Sequence, residues 1–145
     1  MPVKYIVVDN GNLVIERWEG KISHAELVEH ERRHFQDSSI KRRARVLVDA
    51  RDASFPETTA DGFREVTELY AKLQNRASAG KCALLVSPVG WQKAKAFETG
   101  GEKYGVTIIT FNELGTACSW LGIDRRIAMD HLKNLAADKP DAGKE

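Results

Sequence analysis

The sequence predicts one α/β domain: a mixed five-stranded sheet, opened by an antiparallel hairpin and continued by parallel strands, with helices packed on it. Three observations carry this. An Asn-Gly pair at Asn10-Gly11 separates two short strand-like runs at the start of the chain, the signature of a hairpin turn with positive φ. Short apolar runs then alternate with segments whose apolar residues recur at helical spacing. Such alternation implies right-handed crossovers and parallel strands.

Each element follows in order. Tyr5 to Val8 reads as the first strand, Asp9 to Asn12 as the turn and Leu13 to Trp18 as the return strand. The alternation Val14/Glu16/Trp18 against Leu13/Ile15/Arg17 suggests a strand partly wetted near its end. Ser23 followed by Glu26 is a capping box, and the helix it opens runs to about Gln36. Leu27, Val28 and Phe35 form its apolar stripe, with Glu31 and His34 on or near the same side. Val46-Leu47-Val48 is a short buried strand ending at Asp49, and Asp52 to Pro56 reads as a loop. Phe63, Val66, Tyr70, Leu73 and Ala77 mark a helix from about Ala60 to Arg76. Cys82 to Val86 is the next strand, and Trp91, Ala94 and Phe97 point inward from a helix over 91–103. Val106 to Phe111 closes the sheet. Asn112 is the expected cap of a helix holding Leu114, Ala117, Cys118 and Leu121, and Asp124 the cap of a last amphipathic helix. The expected division is a domain over 1–124, an added helix over 125–137, which covers a sheet edge or groove or pairs a homo-oligomer, and a flexible tail over 138–145.

Composition narrows the function classes. The chain has 145 residues, 42% of them apolar and 30% charged, which suits one ordered domain. Lys and Arg number 22 and Asp and Glu 21, for a net charge of +1. No global field therefore favours nucleic acid. The basic group Arg32, Arg33, Lys41, Arg42, Arg43 and Arg45 lacks interleaved aromatics for base stacking. Cys82 and Cys118 form no CxxC and read as buried reduced thiols. No apolar run is long enough to span a membrane, and no signal peptide is read at Met1-Pro2-Val3-Lys4, so the expected location is the cytoplasm.

Three stretches resemble the STAS domain, and within it the SpoIIAA-like group also labelled STAS/SEC14. They are Val14-Ile15-Glu16-Arg17-Trp18-Glu19-Gly20, then Arg45-Val46-Leu47-Val48-Asp49-Ala50-Arg51-Asp52 with Phe55 after it, and Ala117-Cys118-Ser119-Trp120-Leu121-Gly122. The resemblance covers about residues 4 to 124. It implies a non-enzymatic module that works by contact with a protein partner and carries no cofactor. In switch members of that family a Ser or Thr at the start of the helix after the third strand is phosphorylated. Thr58 or Thr59 falls at that position, although Ala60 stands where the family motif has Gly. A plainer reading makes Thr58 the helix cap, with Asp61 three residues on. The SEC14 half of the label implies a carrier of a small apolar ligand or lipid, with Phe55, Phe63, Tyr70, Trp91 and Phe97 lining its pocket or simply filling the core.

One motif points elsewhere. His30-Glu31-Arg32-Arg33-His34 matches HExxH, which in zinc hydrolases places two histidines on one helix face with the glutamate as general base. Two guanidinium groups inside the motif would repel a cation. A third ligand is needed, and neither an HxxGxxH continuation nor an ExxxD frame around Glu57, Glu65 or Glu68 supplies one. The expectation is therefore no zinc hydrolase, with His30 and His34 only adventitious metal ligands.

Overall fold

The computed structural model describes residues 2–69, 80–103 and 105–137. Along the chain it has β1 (Val3–Val8), a 3-10 turn (Asp9–Gly11), β2 (Leu13–Lys21), α1 (His24–Gln36), β3 (Arg45–Ser54) and α2 (Ala60–Thr67). Then come β4 (Lys81–Leu85), a second 3-10 turn (Pro88–Gly90), α3 (Trp91–Lys103), β5 (Thr107–Phe111), α4 (Leu114–Leu121) and α5 (Arg125–Ala137). The five strands lie in chain order, with β1–β2 antiparallel and each later pair parallel.

Because every parallel crossover steps one strand the same way, connections of one hand place their helices on one face. The two apolar cores show this. Leu27 and Phe35 of α1, Phe63 and Val66 of α2 and Ala94 and Phe97 of α3 pack on Trp18, Val48, Ala50, Leu84 and Ile108. On the other face Leu114, Ala117, Cys118 and Leu121 of α4 join Ala128, Leu132 and Leu135 of α5 over Leu13, Ile15, Leu47, Ala83 and Leu85. Both faces of the sheet are covered, which is why β3 and β4 are apolar at successive positions.

Local signals act where the sequence places them. The first turn holds Asp9, Asn10 and Gly11 at positive φ. Ser23 and Glu26 form both bonds of the capping box, and Asp124 accepts from the amides of Arg126 and Ile127. Several boundaries differ. β3 runs on to Ser54 through the segment expected to be a loop, because it stays paired with β2 as far as Lys21. Glu113, not Asn112, is the cap residue of α4. Thr59, not Thr58, caps α2, its Oγ1 accepting from the Gly62 amide at 3.1 Å. Trp91 lies at the surface with Lys95 Nζ over its ring, rather than pointing inward. The expected continuation of α2 to Arg76, with Tyr70, Leu73 and Ala77, and the tail over 138–145 lie outside the described residues.

At Gly100 a side chain would collide with the neighbouring helix: a Cβ there would lie 2.2 Å from Thr67 Oγ1. The glycine lets α3 approach α2 closely.

Candidate functional site

The candidate site begins at an acidic residue in the interior of the sheet. Glu16 sits in the middle of β2, paired in register with Tyr5 on β1 and Val48 on β3. It shares its face of the strand with Val14 and Trp18, so it points under α1 and is only 1% exposed. The strand is not wet there; it becomes exposed only beyond Glu19. The physical reason is the helix above. His30 and His34 stand one turn apart on α1, and both reach down to the carboxylate.

Three donors surround Glu16. Trp18 Nε1 and His30 Nε2 both donate to Oε1 at 2.9 Å, and His34 Nδ1 donates to Oε2 at 2.8 Å. An ionised carboxylate only accepts, which assigns a proton to each of the two imidazole nitrogens. Burial pushes the Glu16 carboxyl up, but the histidines outweigh it and hold it well below the usual carboxylate range. For His30 and His34 burial acts downward and Glu16 upward, and the net shift of both is upward. Tyr5 flanks the pair, its ring about 6 Å from each imidazole. Burial and its hydrogen bond to Asp37 push the Tyr5 hydroxyl up to about 12.

The HExxH motif therefore does bring two histidines to one carboxylate, but from outside the helix. The convergent group is Glu16, and not Glu57, Glu65 or Glu68. One ligand-type atom of Glu16 and one each of His30 and His34 lie within 4.8 Å of one another. Arg32 and Arg33 face solvent, and Arg32 pairs with Glu29 at 3.1 Å. Glu31 is buried beside the cluster, its Oε2 3.9 Å from His30 Nε2.

Two cavities adjoin this arrangement. One, of about 70 Å³, reaches Glu16, Glu31 and His34 and is also bounded by Asp37, Arg43 and Cys82. Cys82, expected to be buried, is only partly so, whereas Cys118 is buried; desolvation pushes the Cys82 thiol well above its ordinary value. The other, of about 210 Å³, lies between the ends of β3 and β4 and the helices α2 and α3. Phe55, Phe63 and Phe97 line it, together with Trp18 and Lys93. Trp91 is not among its described lining residues, and Tyr70 lies outside the described residues. Trp18 and Phe97 border both cavities and form the partition between them. Edge-to-face contacts run from His30 through Trp18, Phe55 and Phe63 to Phe97.

The α2 N-terminus separates the two threonines. Thr58 is 1% exposed, and its Oγ1 is hydrogen-bonded to His24 Nδ1 at 3.0 Å. Thr59 is exposed at the cap.

No protein-family model matches the sequence, and no curated protein matches it. Among solved structures the chain is similar to an uncharacterized protein from the DUF3478 family of Shewanella loihica PV-4, described as having a SpoIIAA-like fold. The identity is 11%, the TM-score 0.52, and the match covers 82% of this chain and 91% of that one. The fold is SpoIIAA-like. A second similar structure is the anti-sigma factor antagonist SpoIIAA in its unphosphorylated form, at 18% identity and a TM-score of 0.49, covering 83% and 99% of the two chains.

Of the residues the sequence singles out, His30 and His34 meet at Glu16 and Phe55, Phe63 and Phe97 line the larger cavity, while Glu16 itself was not singled out as a site residue. The available signal was its position: an acidic residue at an inward-facing place between Val14 and Trp18 needs a partner if it is buried. Among the described residues of this SpoIIAA-like chain, no helix is long and apolar enough to cross a membrane.

Proposed function

We propose that the chain is a non-enzymatic regulatory module that acts by contact with a protein partner, with the N-terminus of α2 as its controlled surface. One observation carries this reading: Thr59 is an exposed residue at the amide end of α2, where its hydroxyl caps the helix, on a SpoIIAA-like fold. Unpaired amides and the positive end of the helix dipole favour a phosphate there. Thr58 is covered by its bond to His24, so Thr59 is the position open to a kinase. The test compares immobilised wild-type protein with Thr59→Asp and Thr59→Ala in quantitative capture of partners from extract. Thr59→Asp should change retention of a specific partner by about tenfold, within the usual range of coupling between sites, while Thr59→Ala stays near wild type. Equal retention by all three folded proteins defeats the reading.

The 210 Å³ cavity favours a second reading, a small-ligand carrier. Its volume falls below the ~300 Å³ at which ordinary ligand pockets begin, but an apolar cavity of ~150 Å³ already holds benzene. A ring-sized apolar molecule suits it better than a lipid. Native mass spectrometry of the protein as purified should then show an added mass of that size, lost on mild activation. A bare-chain mass at every activation energy counts against the carrier.

A further inference from the structure

We propose that Glu16, His30 and His34 form a binding site for one divalent transition-metal ion of the zinc type. This stands independently of the regulatory reading.

The donor set comes first. Two imidazoles and one carboxylate suit zinc and its neighbours, whereas calcium and magnesium take oxygen ligands. Convergence comes second. One ligand atom from each of Glu16, His30 and His34 lies within 4.8 Å of the others, and the hydrogen-bonded nitrogen–oxygen separations are 2.9 Å for His30 Nε2 and 2.8 Å for His34 Nδ1. Small side-chain rotations open this to the ~2.0–2.2 Å bonds that zinc makes to nitrogen and oxygen.

The site is also supported from behind. Trp18 Nε1 donates to Glu16 Oε1 and orients the carboxylate, as outer-shell partners of metal ligands do. His30 and His34 are held at fixed spacing on a helix with a complete capping box, anchored by buried Leu27 and Phe35. The cavity against Glu16 and His34 provides a route in, and its volume of about 70 Å³ leaves space for water as a further ligand.

Proton balance is straightforward. The ion replaces the protons on His30 Nε2 and His34 Nδ1 that now point at Glu16. Each proton either moves to the other nitrogen of its ring or leaves for solvent as the ion enters. For His30 the other nitrogen, Nδ1, is buried with no hydrogen-bond partner among the described residues, so a proton moved there would lack an acceptor, and release of one proton from the charged imidazole to solvent is the favoured course.

This is a binding site rather than a protease centre. Its carboxylate ligand comes from a strand beneath the helix, and the two histidines offer different ring nitrogens.

Co²⁺ provides the probe, because its visible absorption reports nitrogen and oxygen coordination, and Zn²⁺ should displace it. Chelator-stripped wild-type protein should take up Co²⁺ saturably, with one ion per chain. On Zn²⁺ addition the imidazole ¹⁵N resonances of His30 and His34 should move together. His34→Gln, which keeps a polar side chain at this partly exposed position, should weaken uptake by at least tenfold with an unchanged circular dichroism spectrum. Absence of saturable Co²⁺ uptake by the wild type overturns the proposal. So does Zn²⁺ binding that moves only His24 or His131. The wild-type titration and its resonances decide the matter even if the variant fails to fold.

Discussion

Replacing Glu16 with alanine is expected to destabilise the metal-free protein by about 3–5 kcal/mol, the usual cost of breaking a buried ion pair by removing one partner. Three hydrogen bonds end on this carboxylate, from Trp18, His30 and His34. Without it the indole N–H and two imidazole nitrogens lose the carboxylate that accepts from them, and Glu31 Oε2, 3.9 Å from His30 Nε2, is too far to take its place without moving. Glu16→Gln should cost less, since the amide fills the same space and keeps an acceptor. Urea unfolding followed by circular dichroism measures both. A loss under ~0.5 kcal/mol for Glu16→Ala, the range of ordinary surface substitutions, would mean that the cluster does not hold α1 on the sheet.

The same cluster sets a pH profile whose sign follows from the shifts. Glu16 is lowered in the folded state, so its contribution is present above its ordinary value of 4.5 and is lost as pH falls through the lowered one. His30 and His34 are raised, so their contributions are present below the ordinary 6.5 and are lost as pH rises through the folded values. The facing groups are Tyr5 on β1, Glu31 and Arg33 on α1, and Asp37 after it. With a chelator present, the cluster's contribution should therefore be greatest between about pH 4.5 and 6.5. Glu16→Gln should flatten that maximum. A wild-type profile that overlays the variant's across this range would contradict the assignment.

The second large effect is expected at Trp18. This side chain is 2% exposed, packs edge-to-face on His30 and Phe55, and separates the two cavities. Trp18→Ala should cost about 3–5 kcal/mol, the range for deleting a large buried aromatic, because it joins the two cavities and removes a donor from Glu16. Trp18→Phe loses the N–H and part of the ring while Glu16 Oε1 keeps its bond from His30, so its cost should be nearer ~1.5–3 kcal/mol, that of one hydrogen bond to a charged group. Added indole should raise the unfolding midpoint of Trp18→Ala, since a ligand that binds only the folded state stabilises it by mass action. A midpoint unmoved by indole would show that the enlarged space collapses instead of staying open.

The strand and helix order, the first turn and the caps at Ser23 and Asp124 were legible in the sequence because each depends on residues within a few positions of one another. A capping box spans four residues, and an Asn-Gly turn is specified by two. The misplaced caps of α2 and α4 were choices between adjacent residues that local chemistry barely separates. The extension of β3 was hidden because Asp52 to Ser54 read as loop residues. Pairing with the end of β2 keeps them in the strand.

Only the tertiary structure decided the site. Glu16 meets His30 and His34 across separations of 14 and 18 residues. Their meeting depends on which face of β2 is covered and on how α1 is rotated above it. Packing against Trp18, Leu27 and Phe35 sets both. The same holds for Thr58 and Thr59: neighbours in sequence, one is buried by His24 from another helix and the other is left at the surface. What the sequence by itself determined was a layered α/β chain with its elements in order, since hydrophobic period and capping are local properties. Which charged groups share a buried space is a property of register and helix rotation, and these exist only once the sheet and its helices are packed together.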